Sequence, residues 1–145
     1  MKWGQITWIF LHALSMKIQP DQYSSLRDSL FAMVLAICHA LPCPECSAHA
    51  ILYMKKKTSP ETIEQFQLFL WEFHNVVNGN TKKQKVPPEV LLKYKNTDVK
   101  MAFQLFHQAW ISQPYNPHLI HKQMRIKNTL HQVRMWLLSH PFLLI

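Results

Sequence analysis

The sequence predicts an all-helical fold, and three observations carry that prediction. Apolar residues recur at three- and four-residue spacing along nearly the whole chain, the period of an amphipathic helix. No run alternates apolar and polar residues as a half-buried strand does. Glycine occurs only twice, at Gly4 and Gly79, and proline-containing breaks separate the periodic stretches. At 145 residues, with 48% apolar and 17% charged side chains, the chain has the length and balance of one globular domain with its own core.

The elements run in order along the chain. A first helix is predicted over residues 4–17, closed off by Pro20. A second fits residues 21–40, with Tyr23, Leu26, Leu30, Val34, Ile37 and Leu41 on one stripe. Pro42-Cys43-Pro44 breaks it and starts a third, with Cys43 near the N-cap and Pro44 at the first helical position, where proline is favoured. This helix runs to Lys55-Lys56-Lys57, cations well placed at a C-terminus. Ser59-Pro60-Glu61 reads as the opening of a fourth, which continues through Phe66, Leu70, Trp71, Phe73 and Val77 to a C-terminal cap at Gly79. Residues 81–88 form a basic loop, and a fifth helix is expected over residues 89–110 with a break near Asn96. After the linker Gln113-Pro114-Tyr115-Asn116-Pro117, a last amphipathic helix covers residues 118–140 and ends at Pro141.

Composition removes several classes of function. With two glycines, neither G-x-G-x-x-G nor G-x-x-x-x-G-K can be written, so no glycine-rich loop cradles phosphate. The formal charge is +8, and the whole of the excess lies after residue 54. Such a surface attracts polyanions. A basic nucleic-acid-binding protein is therefore one alternative, but a solvated basic face is the simpler reading and nucleic acid is not expected as a partner. The longest apolar run, residues 30–38, falls short of the ~20 residues of a spanning helix, and no secretory leader is legible. A cytoplasmic protein without a membrane span is expected. Three cysteines, Cys38, Cys43 and Cys46, are too few for a disulfide framework.

Chemistry concentrates at four places where polar or reactive groups recur at helical spacing. They are Trp8 with His12, the group Cys43, Cys46 and His49, the group His74, Asn75 and Asn78, and Lys83 in the basic loop. A cysteine at a helix N-terminus faces unpaired N–H groups and the positive end of the dipole, which favour thiolate. Cys43 and Cys46, one turn apart, have the spacing of an intrahelical disulfide. A structural zinc site is the rival reading, with Cys43, Cys46 and His49 as three ligands and a distant histidine as the fourth. A thioredoxin-type site would need strands, and none is legible. Redox chemistry on a helical scaffold leads, with no metal expected.

These residues resemble a family. The pattern Trp3-Gly4-x-x-x-Trp8-x-x-x-His12, then Leu41-Pro42-Cys43-Pro44-Glu45-Cys46-x-x-His49, then Trp71-x-Phe73-His74-Asn75-x-Val77-Asn78, then Lys83, is similar in order and spacing to the Erv/ALR family of FAD-dependent sulfhydryl oxidases. The short core, with Leu-Pro-Cys-Pro-x-Cys, looks most like the versions carried by large cytoplasmic DNA viruses, so the host cytoplasm or the virion is the expected location. The resemblance covers residues 1–95. It implies a four-helix bundle with a short fifth helix and FAD in the mouth of the bundle. Residues 96–145 lie outside the resemblance and read as a helical C-terminal extension that can serve oligomerisation.

The family's residue roles carry over position by position. Cys46 is the cysteine next to the flavin and Cys43 the outer one that meets substrate, so these two are the implied catalytic pair. Gly4, Trp8, His12, Cys46, His49, His74, Asn75, Val77, Asn78 and Lys83 match positions that line FAD, and Tyr94 matches an aromatic near the adenine. The implied reaction oxidises protein dithiols and reduces O2 to H2O2. Cellular members relay electrons through a second C-x-x-C on a flexible arm. This chain has none, so clients or a separate thiol carrier are expected to react at Cys43 directly. No cysteine lies beyond Cys46 to supply the structural disulfide common in the family, so the bundle is expected to hold by packing and by its cofactor.

Cys38 sits on the apolar stripe of the second helix and reads as a core thiol. The C-terminal segment carries Leu130, Val133, Trp136, Leu137 and a final Phe142-Leu143-Leu144-Ile145. That apolar load must fold back, enter a subunit interface or meet a partner. Family members commonly pair through their first helices, so a homodimer is expected. The tail is expected to add to that contact, with Trp110 and Trp136 near the interface, and to be dispensable for FAD binding.

Overall fold

The computed structural model describes residues 2–145, among which no strand occurs. Six α-helices succeed one another: α1 (Trp3–Lys17), α2 (Pro20–His39), α3 (Pro44–Lys55), α4 (Ile63–Asn80), α5 (Val99–Ile111) and α6 (Ile120–Leu138). Short 3-10 turns at Pro88–Tyr94, Pro117–Leu119 and Pro141–Leu144 complete the chain. The helix α1 lies centrally, with α4 on one side and α5 on the other, while α2 packs against α3 and α6.

The stripe of α2 is buried at Tyr23, Leu26, Leu30, Val34 and Ile37, as its period requires. Pro20 both closes α1 and opens α2, where Gln19 and Gln22 exchange side-chain and backbone bonds in a capping box. Cys38 is 3% exposed, and burial pushes its thiol up to about 12, which leaves it an inert core residue.

Three expectations need correction. The helix α4 starts at Ile63, not at Pro60, with Thr62 and Gln65 forming its capping box. The Ser59 and Pro60 carbonyls are already taken: Arg27 Nη2 donates to Ser59 at 2.7 Å, while Arg27 Nε and the Tyr23 hydroxyl donate to Pro60 at 2.8 and 2.7 Å. That segment is tied to α2 before it can turn into a helix. At the other end Gly79 lies inside the helix, and Lys82 takes the left-handed conformation at φ 60°. The break expected near Asn96 is found, but the stretch before it is a 3-10 turn at Pro88–Tyr94 and not α-helix; α5 follows, and its N-cap Asp98 accepts the Met101 N–H at 3.2 Å.

The C-terminal segment folds back and shares one core with the helices before it. Phe106 stacks on Phe10 with centroids 5.0 Å apart, and Trp110 Nε1 donates to Thr7 Oγ1 at 2.8 Å. Trp110 is therefore 1% exposed within the fold and not at a surface between chains. Trp136, half-buried, donates to Ser29 Oγ on α2 at 2.9 Å. Leu143 is fully buried, and Lys17 Nζ donates to the backbone oxygen of Ile145 at 2.6 Å. No helix among the described residues is long and apolar enough to cross a membrane.

Candidate active site

Cys43 is the N-cap of α3, in extended conformation, and its Sγ accepts the Cys46 N–H at 3.2 Å. Pro44 at the first helical position has no N–H to leave unpaired. Cys43 and Cys46 are joined in a disulfide, with their Cα atoms 5.2 Å apart. Both are half-buried. The pair sits where backbone N–H groups and the helix dipole favour negative charge on sulfur once the bond opens. His49, one turn beyond Cys46, is exposed. Among the described residues no three His, Cys, Asp or Glu side chains converge as metal ligands.

A second cluster forms where α1 meets α4. Trp8 stacks on His74 with centroids 4.4 Å apart and planes 8° from parallel. His12 Nε2 and His74 Nδ1 are 3.1 Å apart and share one hydrogen. Tyr94 closes the stack from the 3-10 turn, 4.9 Å from the His12 ring. Burial lowers His12 to about 3, aided by His74 and Lys93. Burial likewise lowers His74 to about 4, aided by Lys83 and Lys93. Both imidazoles are neutral at pH 7. One nitrogen, His12 Nδ1, is buried without a hydrogen-bond partner among the described residues. Gly4 lies one turn before Trp8 on α1, and a Cβ there would meet nothing within 4 Å. Phe73 packs beside this stack, edge-on to Trp8 at 5.3 Å and stacked on Tyr53 of α3 at 4.5 Å.

Asn75 and Asn78 are buried, and their amides hold the basic loop. Asn75 Nδ2 donates to the Val86 carbonyl and Asn75 Oδ1 accepts the Val86 N–H, each at 2.9 Å. Trp71 Nε1 donates to the same carbonyl at 2.9 Å, and Asn78 Nδ2 to the Gln84 carbonyl at 3.3 Å. Lys83 is exposed, its backbone N–H bonded to the Asn78 carbonyl at 2.7 Å. Val77 is half-buried against the core.

Of the residues singled out in sequence, the fold brings Trp8, His12, His74 and Tyr94 into one aromatic stack. It sets Asn75 and Asn78 behind the loop that carries Lys83. His49 and Cys46 stay with the disulfide on α3. Two further residues belong here that the sequence reading did not assign to the site. Trp71 shares a helix face with Asn75 at i, i+4, a spacing that was readable. Lys93 lies close enough to lower both histidines and stands 5.2 Å over the Tyr94 ring, with nothing local to mark it.

A model of the Erv1 / Alr family matches residues 5–100. The chain belongs to the Erv1 / Alr family. It is 33% identical over 101 residues to "Putative FAD-linked sulfhydryl oxidase 347L" of Invertebrate iridescent virus 6, covering 63% of this chain and 89% of that protein. It is 26% identical over 94 residues to "Putative FAD-linked sulfhydryl oxidase 096R" of Invertebrate iridescent virus 3, covering 63% of this chain and 64% of that one. African swine fever virus has a "FAD-linked sulfhydryl oxidase" that is 29% identical over 87 residues, 58% of this chain and 71% of the viral protein. No solved structure matches the chain. The Erv1 / Alr match ends just inside α5, so most of α5 and all of α6 lie outside it.

Proposed function

We propose that the chain is a FAD-linked thiol oxidase that forms disulfides in protein dithiols. The observation that carries this reading is the Cys43–Cys46 disulfide at the N-terminus of α3, in a chain of the Erv1 / Alr family. The residues fit the cofactor. A flat heteroaromatic ring suits the Trp8, His74, His12 and Tyr94 stack, and the unpaired His12 Nδ1 lacks a polar partner that such a ring can supply. Lys83 and Lys93 offer cations to a diphosphate, and the remaining positions we assign to the flavin are Gly4, Cys46, His49, Asn75, Val77 and Asn78. FAD, when bound, takes two electrons from the reduced cysteine pair and passes them to dioxygen, giving peroxide.

The chain's own part is thiol–disulfide exchange. A client thiolate attacks Cys43 Sγ, the Cys43–Cys46 bond breaks, and Cys46 leaves as a thiolate. The client's second thiol, as thiolate, attacks its own sulfur in the mixed disulfide and expels Cys43. The Cys46 N–H that bonds Cys43 Sγ stabilises that departing thiolate. The client loses two electrons and two protons, and Cys43 and Cys46 gain the electrons. With three cysteines and no second pair, the client or a thiol carrier reacts here without an internal relay. We place the protein in the cytoplasm, host or virion, in keeping with its viral relatives, and as a homodimer. Because α5 covers α1 within the chain, a pair would meet through other surfaces, such as the outer face of α5 with its exposed Met101 and Leu105.

The visible spectrum tests this reading. Purified protein should be yellow, and Cys43→Ser should leave a lone Cys46 thiol beside the flavin with a long-wavelength charge-transfer band. Cys46→Ser should lack that band, and both variants should lose dithiol oxidation. A band in the Cys46 variant would reverse the two roles. A colourless protein with stoichiometric zinc would overturn the proposal.

A further inference from the structure

Lys122 lies on α6, outside the family match, yet its ammonium reaches back to the segment that carries the cysteines. Nζ donates to the carbonyl of His39, the last residue of α2, at 2.9 Å. It also donates to Ser47 Oγ, in the first turn of α3, at 3.1 Å. Ser47 is 4% exposed, and its hydroxyl turns on toward the Leu41 carbonyl at 3.5 Å. These two anchors bracket residues 40–46, the turn from Ala40 through Pro42, Cys43 and Pro44 to Cys46.

Two features separate this contact from an ordinary surface lysine. A cation at the C-terminal carbonyl of α2 is favourable, because that end carries orphan acceptors and negative partial charge. The same cation beside the first turn of α3 is unfavourable, because that end already carries positive partial charge. Capping alone does not select a lysine shared between the two. What gains from positive charge at the start of α3 is an anion there, and the anion the reaction makes is a cysteine thiolate. Partial burial, with Arg125 nearby, lowers the Lys122 pKa from its ordinary value, as for an ammonium held away from bulk water.

We propose that Lys122 is a positioning residue for thiol–disulfide exchange: it ties the two ends of the redox turn together and holds positive charge beside the opened Cys43–Cys46 pair. The assignment rests on the thiol oxidase reading for its purpose, but its test does not depend on flavin turnover. A cation near the pair favours the reduced form, whose sulfurs carry charge, over the neutral disulfide. Its removal should make the pair harder to reduce.

The measurement is the equilibrium of the full-length protein with anaerobic glutathione buffers, with free thiols trapped by alkylation and counted by mass. Lys122→Met should shift the exchange equilibrium about tenfold toward the disulfide, a potential about 30 mV more negative. Lys122→Arg, which keeps the charge and the donors, should stay within about twofold of wild type. Lys122→Gln keeps a donor without the charge and serves if the methionine variant does not fold. It should shift the equilibrium in the same direction as methionine. Neutral variants that melt earlier but keep the wild-type potential would reduce Lys122 to a structural contact and overturn the proposal. A colourless, inactive wild type would sink the oxidase reading alone, with the potential shift still deciding the role of Lys122.

Discussion

Replacing Asn75 by alanine isolates the contribution of α4 to the loop that carries Lys83. The Asn75 side chain, 9% exposed, makes two bonds to Val86, each 2.9 Å long. Trp71 supplies a third on the Val86 carbonyl. A neutral hydrogen bond contributes about 1 kcal/mol net, so the alanine variant loses about 2 kcal/mol of loop docking. Val86 is half-buried and can rehydrate as the loop lifts, which avoids the larger penalty of a sealed, unpaired N–H. If the docked loop is the form that binds FAD, affinity falls about 30-fold, since each 1.4 kcal/mol is about tenfold. Trp71→Phe removes one bond and keeps the ring, so about fivefold is expected. The assay is fluorescence titration of the apoprotein with FAD, alongside amide exchange at residue 86. An Asn75→Ala protein that binds FAD within about twofold of wild type would refute the reasoning. Rapid exchange at Val86 with unchanged affinity would place the fault in the link between loop and cofactor, and not in the hydrogen bonds.

Acid should destabilise the apoprotein. His12 at about 3 and His74 at about 4 lie below the ~6.5 of an unfolded imidazole. The unfolded chain therefore binds more protons, and stability that is full above pH 6.5 is lost as pH falls toward 4. Urea midpoints should be lower at pH 5 than at pH 7.5, and His74→Gln should lessen the drop; equal slopes in the two proteins would contradict this. Truncation after Gln113 removes Ile126, Leu130, Val133, Leu137 and Leu143, each at most 4% exposed. At about 1.5–3 kcal/mol per buried side chain, that loss is comparable with the whole stability of a domain. The shortened chain should lose its cooperative melt, against the expectation that the tail is dispensable for FAD binding; a cooperative melt with flavin retained would restore that expectation.

What the sequence disclosed was what local spacing controls. The stripe of α2, the proline at the start of α3 and the cysteine at its N-cap are set within a few residues, and each is found where its period or cap places it. The start of α4 was misplaced because Arg27 and Tyr23, more than thirty residues earlier, occupy the carbonyls of Ser59 and Pro60. A local signal for the true start was present, the Thr62-x-x-Gln65 capping box, but nothing local showed that Arg27 and Tyr23 would favour it over Ser59-Pro60. The same limit divides the site. His74 and Asn75 stood out as polar groups on an apolar helix, but the fold decides what each one meets. His74 stacks under Trp8, while Asn75 turns to Val86 eleven positions on. Lys93 and Lys122 stood out in no pattern, because a lysine near a mouth or a turn is set apart only by what folds around it.

The C-terminal helices also change how the reaction centre is held. In α1 the face with Gly4, Trp8 and His12 looks toward the proposed flavin site, while Thr7 beside Trp8 is 5% exposed and accepts the Trp110 indole N–H from α5. Trp3 meets the same indole edge-on, with centroids 6.3 Å apart. So α5 braces the back of the helix whose front carries the aromatic stack. At the cysteine end α6 does the corresponding work, through Trp136 on Ser29 of α2 and Lys122 on the turn before α3. No cysteine beyond Cys46 is present to staple α4 to the C-terminal helices, and loop closure by a disulfide would have acted mainly on the unfolded chain. Packing from α5 and α6 acts instead on the folded state, behind the aromatic stack and at the turn that carries the cysteines. An extension outside the family match thereby becomes part of the frame that holds the candidate site.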